Sequence, residues 1–365
     1  MIRIIGVRST LAFFTLAAVA LVAVAYLNAR TTLEIRSTAS IDTRLPVVAI
    51  PGYRLRVFTS ASATNVKWKD APQVSNPDSV VVFGGRVFID YQNVTAKGGS
   101  DGKSSTVVEY TMQGEALKRW DIPGHSDGMR MDPATHVLWT TSNEDGNPAF
   151  ATIDPASDKV TKYTFPAPPH QGGYDDVYFL NGKAFIAASN PTLDSNGNNV
   201  FPAVDLISLN DSDHSISLKP ILMGNATATD SISKQSVTLN LTDPDSLSTD
   251  GKGNLVLVSQ ADSELITISN PGEPSQAVTR LGVGDQPDDT VYPSGKGRLL
   301  VVDAGGTTYW MTKDGAFAPG SVYTQAPNDS GVTNFVGTVD TKTGFITPIA
   351  IGFTKTTGMV FVPND

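Results

Sequence analysis

Short apolar runs alternate with polar turns along the chain, and one phrase keeps returning. It is an Asp, one further residue, an apolar residue, a tight turn, and then a dense apolar run. It occurs as Pro77-Asp78-Ser79-Val80 before Val87-Phe88-Ile89, and as Ser126-Asp127-Gly128-Met129 before Val137-Leu138-Trp139. Tyr174-Asp175-Asp176-Val177 precedes Ala184-Phe185-Ile186, and Pro244-Asp245-Ser246-Leu247 precedes Leu255-Val256-Leu257. Pro287-Asp288-Asp289-Thr290 precedes Leu299-Leu300-Val301, and Thr356-Thr357-Gly358-Met359, running into Val360-Phe361-Val362, is a degenerate last copy. Gly84-Gly85, Asp132-Pro133, Asn181-Gly182, Asp250-Gly251 and Ser294-Gly295 stand between the paired runs and predict hairpin turns.

Successive copies lie 49, 48, 70, 43 and 69 residues apart. A basic period in the forties fits a four-stranded propeller blade of about 40–50 residues. The long intervals predict inserted strands or loops near residues 191–240 and 304–350. Runs such as Val80–Phe83 and Leu299–Val302 are apolar on both faces, as in a sheet stacked between two other sheets. A two-sheet sandwich would not explain one phrase repeated six times. The chain stops soon after the last copy begins, and the alternating strand Gly52–Phe58 has no partner near it. The expected fold is therefore an all-β, six-bladed propeller closed by N- and C-terminal strands, which removes the open edge.

Composition narrows this further. Of 365 residues, 32 are Gly and 23 are Pro, which disfavours a helical bundle, and thirty of the 36 acids are Asp, a turn former. The net charge is −9 with no basic block, so no nucleic-acid partner is expected. Cys is absent, which excludes disulfides, thiolate metal sites and cysteine nucleophiles. Arg3 and Arg8, the apolar stretch from Leu11 to Leu27 and Ala23-Val24-Ala25 together read as a signal peptide or membrane anchor over residues 1–29. A polar linker over 30–45 and the propeller over 46–365 complete the division. The expectation is export, to the periplasm or outside the cell, with membrane contact only through the N-terminal segment if it is uncleaved.

Propeller geometry brings the strand starts together at the mouth of the central channel, so Asp78, Asp127, Asp175, Asp245 and Asp288 are the candidate metal ligands. Asn93, Asn143, Asn190, Gln260 and Asp303, at the ends of the second strands, are expected on the same face, beside substrate or supporting the ligands. Carboxylates crowded round a narrow mouth must either take up protons or hold a cation. Oxygen donors suit calcium or magnesium, and a divalent metal, Ca2+ first, is the expected cofactor. The structural alternative is that each Asp merely bonds turn amides and closes its blade. His125 and His170 fall in entry-face loops, His125 as a candidate base or ligand beside Asp127 and Asp245, His170 as a supporting group.

The stretch Ser126-Asp127-Gly128-Met129-Arg130-Met131-Asp132 with Val137-Leu138-Trp139 resembles the acid-glycine phrase of the senescence-marker/gluconolactonase family and of NHL-repeat propellers; Asp245–Asp250 with Gly253-Asn254-Leu255 echoes it. Leu138–Pro166 also resembles a blade of streptogramin lyase. The first resemblance implies a divalent-metal-dependent hydrolase of the lactonase or esterase type, with the metal-binding acid at Asp127 or Asp245. That family's Glu ligand and Asn-Gly phrase have no counterpart here. Two functions follow: an exported hydrolase acting on a small molecule at the channel mouth, or a non-catalytic propeller that binds a ligand or a protein partner.

Overall fold

Hydrophobic alternation, tight turns and positive-φ residues combine as the repeat predicts: a computed structural model, describing residues 46–327 and 334–364, contains six sheets. The innermost strand of each sheet touches that of the next, and the sixth touches the first, so the ring is closed. The expected export segment and linker, residues 1–45, lie outside the described residues.

Strands β1 (Val48–Ala49) and β2 (Tyr53–Ser60) lead into a short helix, α1 (Ala61–Lys67), capped by the Ser60 hydroxyl. Blade 1 is β3 (Pro77–Phe83), β4 (Arg86–Tyr91), β5 (Ser104–Thr111) and β6 (Ala116–Pro123). Blade 2 is β7 (Ser126–Met131), β8 (Leu138–Ser142), β9 (Ala149–Asp154) and β10 (Lys159–Tyr163). Blade 3 is β11 (Gly173–Leu180), β12 (Lys183–Ser189), β13 (Pro202–Asn210) and β14 (Ser215–Met223). The hairpin β15 (Thr227–Asp230) and β16 (Ser236–Thr238) is added to the outside of blade 4, where β15 runs parallel to that blade's last strand. Blade 4 itself is β17 (Pro244–Thr249), β18 (Leu255–Ser259), β19 (Glu264–Ser269) and β20 (Ala277–Gly282). The insert expected at 191–240 is thus mostly ordinary blade, with one extra hairpin.

The last two blades depart from the expected order. Blade 5 starts with β21 (Thr290–Val291), but the chain then leaves it to form β22 (Gly297–Asp303) and β23 (Thr307–Lys313) in blade 6. It returns to blade 5 as β24 (Val322–Ala326), β25 (Phe335–Val339) and β26 (Ile346–Ile351), and ends in blade 6 as the innermost strand β27 (Thr356–Pro363). Hence Asp288 and the run Leu299–Val301 do not share a hairpin: Thr290 pairs with Thr324, and Leu300 pairs with Val360. Ser294-Gly295 is not a hairpin turn either, since Gly295 bridges to Phe317. The physical reason is that Leu299–Val302 is buried on both faces and can serve as the second strand of any blade. The eight-residue β27 offers it a full ladder, whereas the two-residue β21 does not. The expected closure holds in a doubled form: β2 is the outer strand of blade 6, and β1 is the outer strand of blade 5.

Apolar side chains fill the spaces between blades. One cluster joins Val81, Phe88 and Trp120 of blade 1 to Met129, Leu138 and Ile153 of blade 2. Burying each such side chain contributes about 1.5–3 kcal/mol, so the interfaces hold the ring rigid.

Candidate functional site

The recurring phrase is a β-bulge. In blade 1, Pro77 pairs with Tyr91 and Val80 with Ile89, so Asp78 and Ser79 together oppose the single residue Asp90. Asp127-Gly128, Asp175-Asp176, Asp245-Ser246 and Thr357-Gly358 are the same two-against-one irregularity in blades 2, 3, 4 and 6. In blade 5, Asp288 and Asp289 bracket Gln325 through two backbone bonds of 3.0 and 3.1 Å. A bulge re-aims the strand locally, and here it turns the first residue of each pair towards the channel mouth. Glycine at the second position has a steric cause: a Cβ on Gly128 would overlap the Asp175 carbonyl and the Asp176 Cα, and one on Gly358 would overlap the Asp78 carbonyl.

The five predicted aspartates all line one funnel of about 550 Å³. Ten carboxylates border it (the five, with Glu144, Asp145, Asp176, Asp243 and Asp289) against two lysines, Lys97 and Lys355. Burial, reinforced by neighbouring carboxylates, raises Asp78, Asp127, Asp175, Asp245 and Asp288 well above the usual carboxylate range. Burial also pushes Asp243 up to about 6. Beneath them Asp90, fully buried and bonded by the Ser126 hydroxyl, is pushed up to about 8 by desolvation.

One layer deeper the same residue type behaves differently. Asp176 Oδ2 accepts the Leu247 amide at 3.0 Å and the Arg130 guanidinium at 2.9 Å, and Asp289 Oδ2 accepts the Met359 amide at 2.7 Å. Arg130 also donates to the Leu247 carbonyl at 3.0 Å, so it ties blade 2 to blades 3 and 4. Burial opposes its charge, but Asp176 and Asp289 more than compensate and raise its pKa.

Around Asp127 the geometry is sharper. The Thr95 hydroxyl donates its only proton to the Gln92 carbonyl at 2.6 Å, so towards His125 Nδ1 (2.8 Å) it acts as acceptor. The Thr95 carbonyl also faces Nδ1, at 3.2 Å. Nδ1 therefore carries the hydrogen, and Nε2 presents a lone pair. That nitrogen is buried without a hydrogen-bond partner and lies 3.7 Å from Asp127 Oδ1. Asp127 Oδ1 accepts from Gln92 Nε2 at 3.1 Å, while its buried Oδ2 has no partner. Burial lowers the His125 pKa, although Glu144 pulls it the other way, so the ring is neutral. One ligand atom each from His125, Asp127 and Glu144 lies within 4.8 Å of the others. A lone-pair nitrogen and a carboxylate oxygen left bare in a buried corner, with the far imidazole nitrogen fixed by a carbonyl, is a donor set that fits a divalent cation.

Other predicted residues divide. Asn190 and Gln260 line the funnel. Asn143 does not: its Oδ1 accepts the His125 amide at 2.9 Å and its amide nitrogen donates to the Asn147 carbonyl at 2.9 Å, so it positions the histidine loop. Asn93 is a correction, since it bonds the Ser75 amide and the Ser104 carbonyl, and its neighbour Gln92 is the funnel residue. Tyr91 pairs with Pro77 as Ser142 pairs with Ser126, which makes Gln92, not Asn93, the counterpart of Asn143. Asp303 belongs to blade 6, and its Oδ1 accepts three loop amides, Gly305, Thr354 and Lys355, each at 3.0 Å. His170 is buried away from the funnel, with Nε2 bonded to the Gly173 carbonyl at 2.8 Å and its ring edge-on to Tyr174. Sequence reasoning missed Glu144, Lys97, Gln92 and Arg130. Glu144 carried a signal, being one of six glutamates in an Asp-rich chain and adjacent to a strand-end amide.

No family model matches the chain, and no curated protein does. Among solved structures it is similar to a periplasmic gluconolactonase from Pseudomonas aeruginosa at 10% identity and TM-score 0.45, covering 80% of this chain and 90% of that one. It is similar to virginiamycin B lyase from Staphylococcus aureus at 12% identity and TM-score 0.41, with 78% and 88% covered. A protein of unknown function from Bacteroides caccae matches at 10% identity and TM-score 0.46, with 79% and 87% covered. The structural neighbours of this six-bladed propeller thus include a gluconolactonase and a lyase.

Proposed function

We propose that this chain is an exported, divalent-metal-dependent hydrolase of the lactonase or esterase type, acting on a small molecule at the channel mouth. The observation that carries the reading is the pair of unpartnered acceptors, His125 Nε2 and Asp127 Oδ2, buried at the edge of an acid-lined funnel. His125, Asp127 and Glu144 would hold the ion. The aspartate ring favours calcium, and the imidazole nitrogen brings manganese and zinc into competition with it. When bound, the metal polarises a carbonyl and acidifies water. Gln92 fixes one Asp127 oxygen, and Thr95 fixes the imidazole tautomer. Asp245, on the funnel wall, would take the proton from water as general base. Arg130, held by Asp176, closes ranks beneath it and keeps the inner carboxylate paired.

Metal analysis of the purified protein, then calorimetric titration of chelated protein with Ca2+, Mn2+ and Zn2+, tests the site. One tightly held equivalent, lost in Asp127→Ala, is expected, together with metal-dependent hydrolysis in a panel of aldonolactones and aryl esters. Absence of any bound ion would discard the metal reading. A bound ion without hydrolysis would leave a ligand-binding propeller. Cell fractionation tests the proposed export.

A further inference from the structure

Glu144 is not free in the way His125 Nε2 and Asp127 Oδ2 are: the ammonium of Lys97 is paired with it. The lysine comes from another blade. It sits in the loop between β4 and β5 of blade 1, which leans over blade 2. Asn147 holds that loop by donating to the Gly98 carbonyl at 3.1 Å, and Thr95 of the same loop holds His125. Lys97 thus reaches the cation corner from the solvent side. Its side chain is 55% exposed, against 15% for Glu144, 9% for His125 and 8% for Asp127. His125 and Asp127 are held by Thr95 and Gln92, and the cation beside Glu144 can swing into water at the cost of one partly exposed ion pair. Burial alone would lower the lysine pKa, but Glu144, with help from Asp127 and Asp145, raises it, so the ammonium is charged throughout the working range.

We propose that Lys97 is a built-in, displaceable counter-ion that occupies Glu144 when no metal is present and must leave it for a divalent ion to bind. The inference rests on the metal reading above and adds to it a regulation of that site: affinity is set by competition between a tethered monovalent cation and a free divalent one. The alternative role for the same lysine, holding Glu144 in position as a ligand, predicts the opposite sign.

The test is calorimetric titration of the chelated full chain with Ca2+ and with Mn2+, for wild type, Lys97→Met, Glu144→Gln and the double variant. Removing the lysine is expected to tighten metal binding by about fivefold or more, the scale of a half-exposed ion pair. The gain is expected to vanish in the double variant, because without the carboxylate there is nothing to release. Lys97→Arg retains the counter-charge and is expected to stay near wild-type affinity. Circular dichroism of each chelated variant confirms folding. Unchanged or weaker binding in Lys97→Met, with wild type binding metal, overturns the counter-ion and leaves the metal site standing. No binding in either protein overturns the metal reading, and the counter-ion with it.

Discussion

The outer and inner carboxylates of the funnel differ by one position in sequence and by almost everything in environment. Asp175 and Asp288 sit in the mouth, half-buried and crowded by like charges, whereas Asp176 and Asp289 are buried and accept backbone amides of the next blade. The bulge makes this possible, because consecutive residues on the same strand end up facing the channel and the neighbouring blade respectively. The amide-bonding role weighed for the first acid of the phrase is taken instead by the second, in Asp176 and Asp289, and the first is left facing the funnel. Where the inner position is Gly, as at Gly128 and Gly358, the backbone of the neighbouring blade packs against it.

The contrast is most directly broken at Arg130. Replacing it with Met leaves Asp176 buried without its ion partner, and a loss of about 3–5 kcal/mol is expected in urea denaturation. A loss under about 1 kcal/mol would mean that the inner layer does not depend on that charge. Asp289→Asn removes the charge that Met359 and Arg130 face, and a smaller loss of about 1–3 kcal/mol is expected by the same measurement.

Acidity is shared by both layers, since burial raises Asp176 as well and pushes Asp289 up to about 6. The outer aspartates and Asp90 have folded-state pKa values above those of the unfolded chain, so the folded state binds more protons. Stability of the chelated protein is therefore expected to fall as pH rises from about 4 towards 8, the window set by Asp90. Thermal melts in chelator should show a lower midpoint at the alkaline end, and saturating divalent metal should remove the part of the slope that Asp127 contributes. A midpoint that rises with pH would mean the ring is already neutralised by protein groups. The smallest effect belongs to Asp127→Asn in chelator, where relief of like-charge repulsion should leave stability unchanged or raise it by up to about 1 kcal/mol, while metal binding is lost. Destabilisation comparable to Asp289→Asn would erase the distinction between the two layers.

Much of this was legible in the chain. The phrase period fixed the blade count, and the five aspartates converge because each occupies the same place in its bulge. What escaped was pairing. Ser294-Gly295 looks like any hairpin turn, and Leu299–Val302 looks like any second strand; which strand lies beside it is decided by non-local contacts. Asn93 was displaced for a local reason, since counting residues cannot reveal which one the ladder leaves at the rim. Arg130 was visible, as a lone charge between Met129 and Met131 in a strand whose neighbours are buried, and its partners became identifiable only once blades 3 and 5 were placed.

The exchange of strands between blades 5 and 6 has a consequence for how the molecule is assembled. The chain threads blade 6 before finishing blade 5, and each of these blades also takes one strand from the start of the propeller. Neither can be completed without residues from both ends of the propeller, so closing the ring depends on contacts far apart in sequence, the kind that form slowly. Loss of the C-terminal strand β27 therefore strips blade 6 of its innermost strand, whereas loss of the segment carrying β1 and β2 strips the outer strand from two neighbouring blades at once.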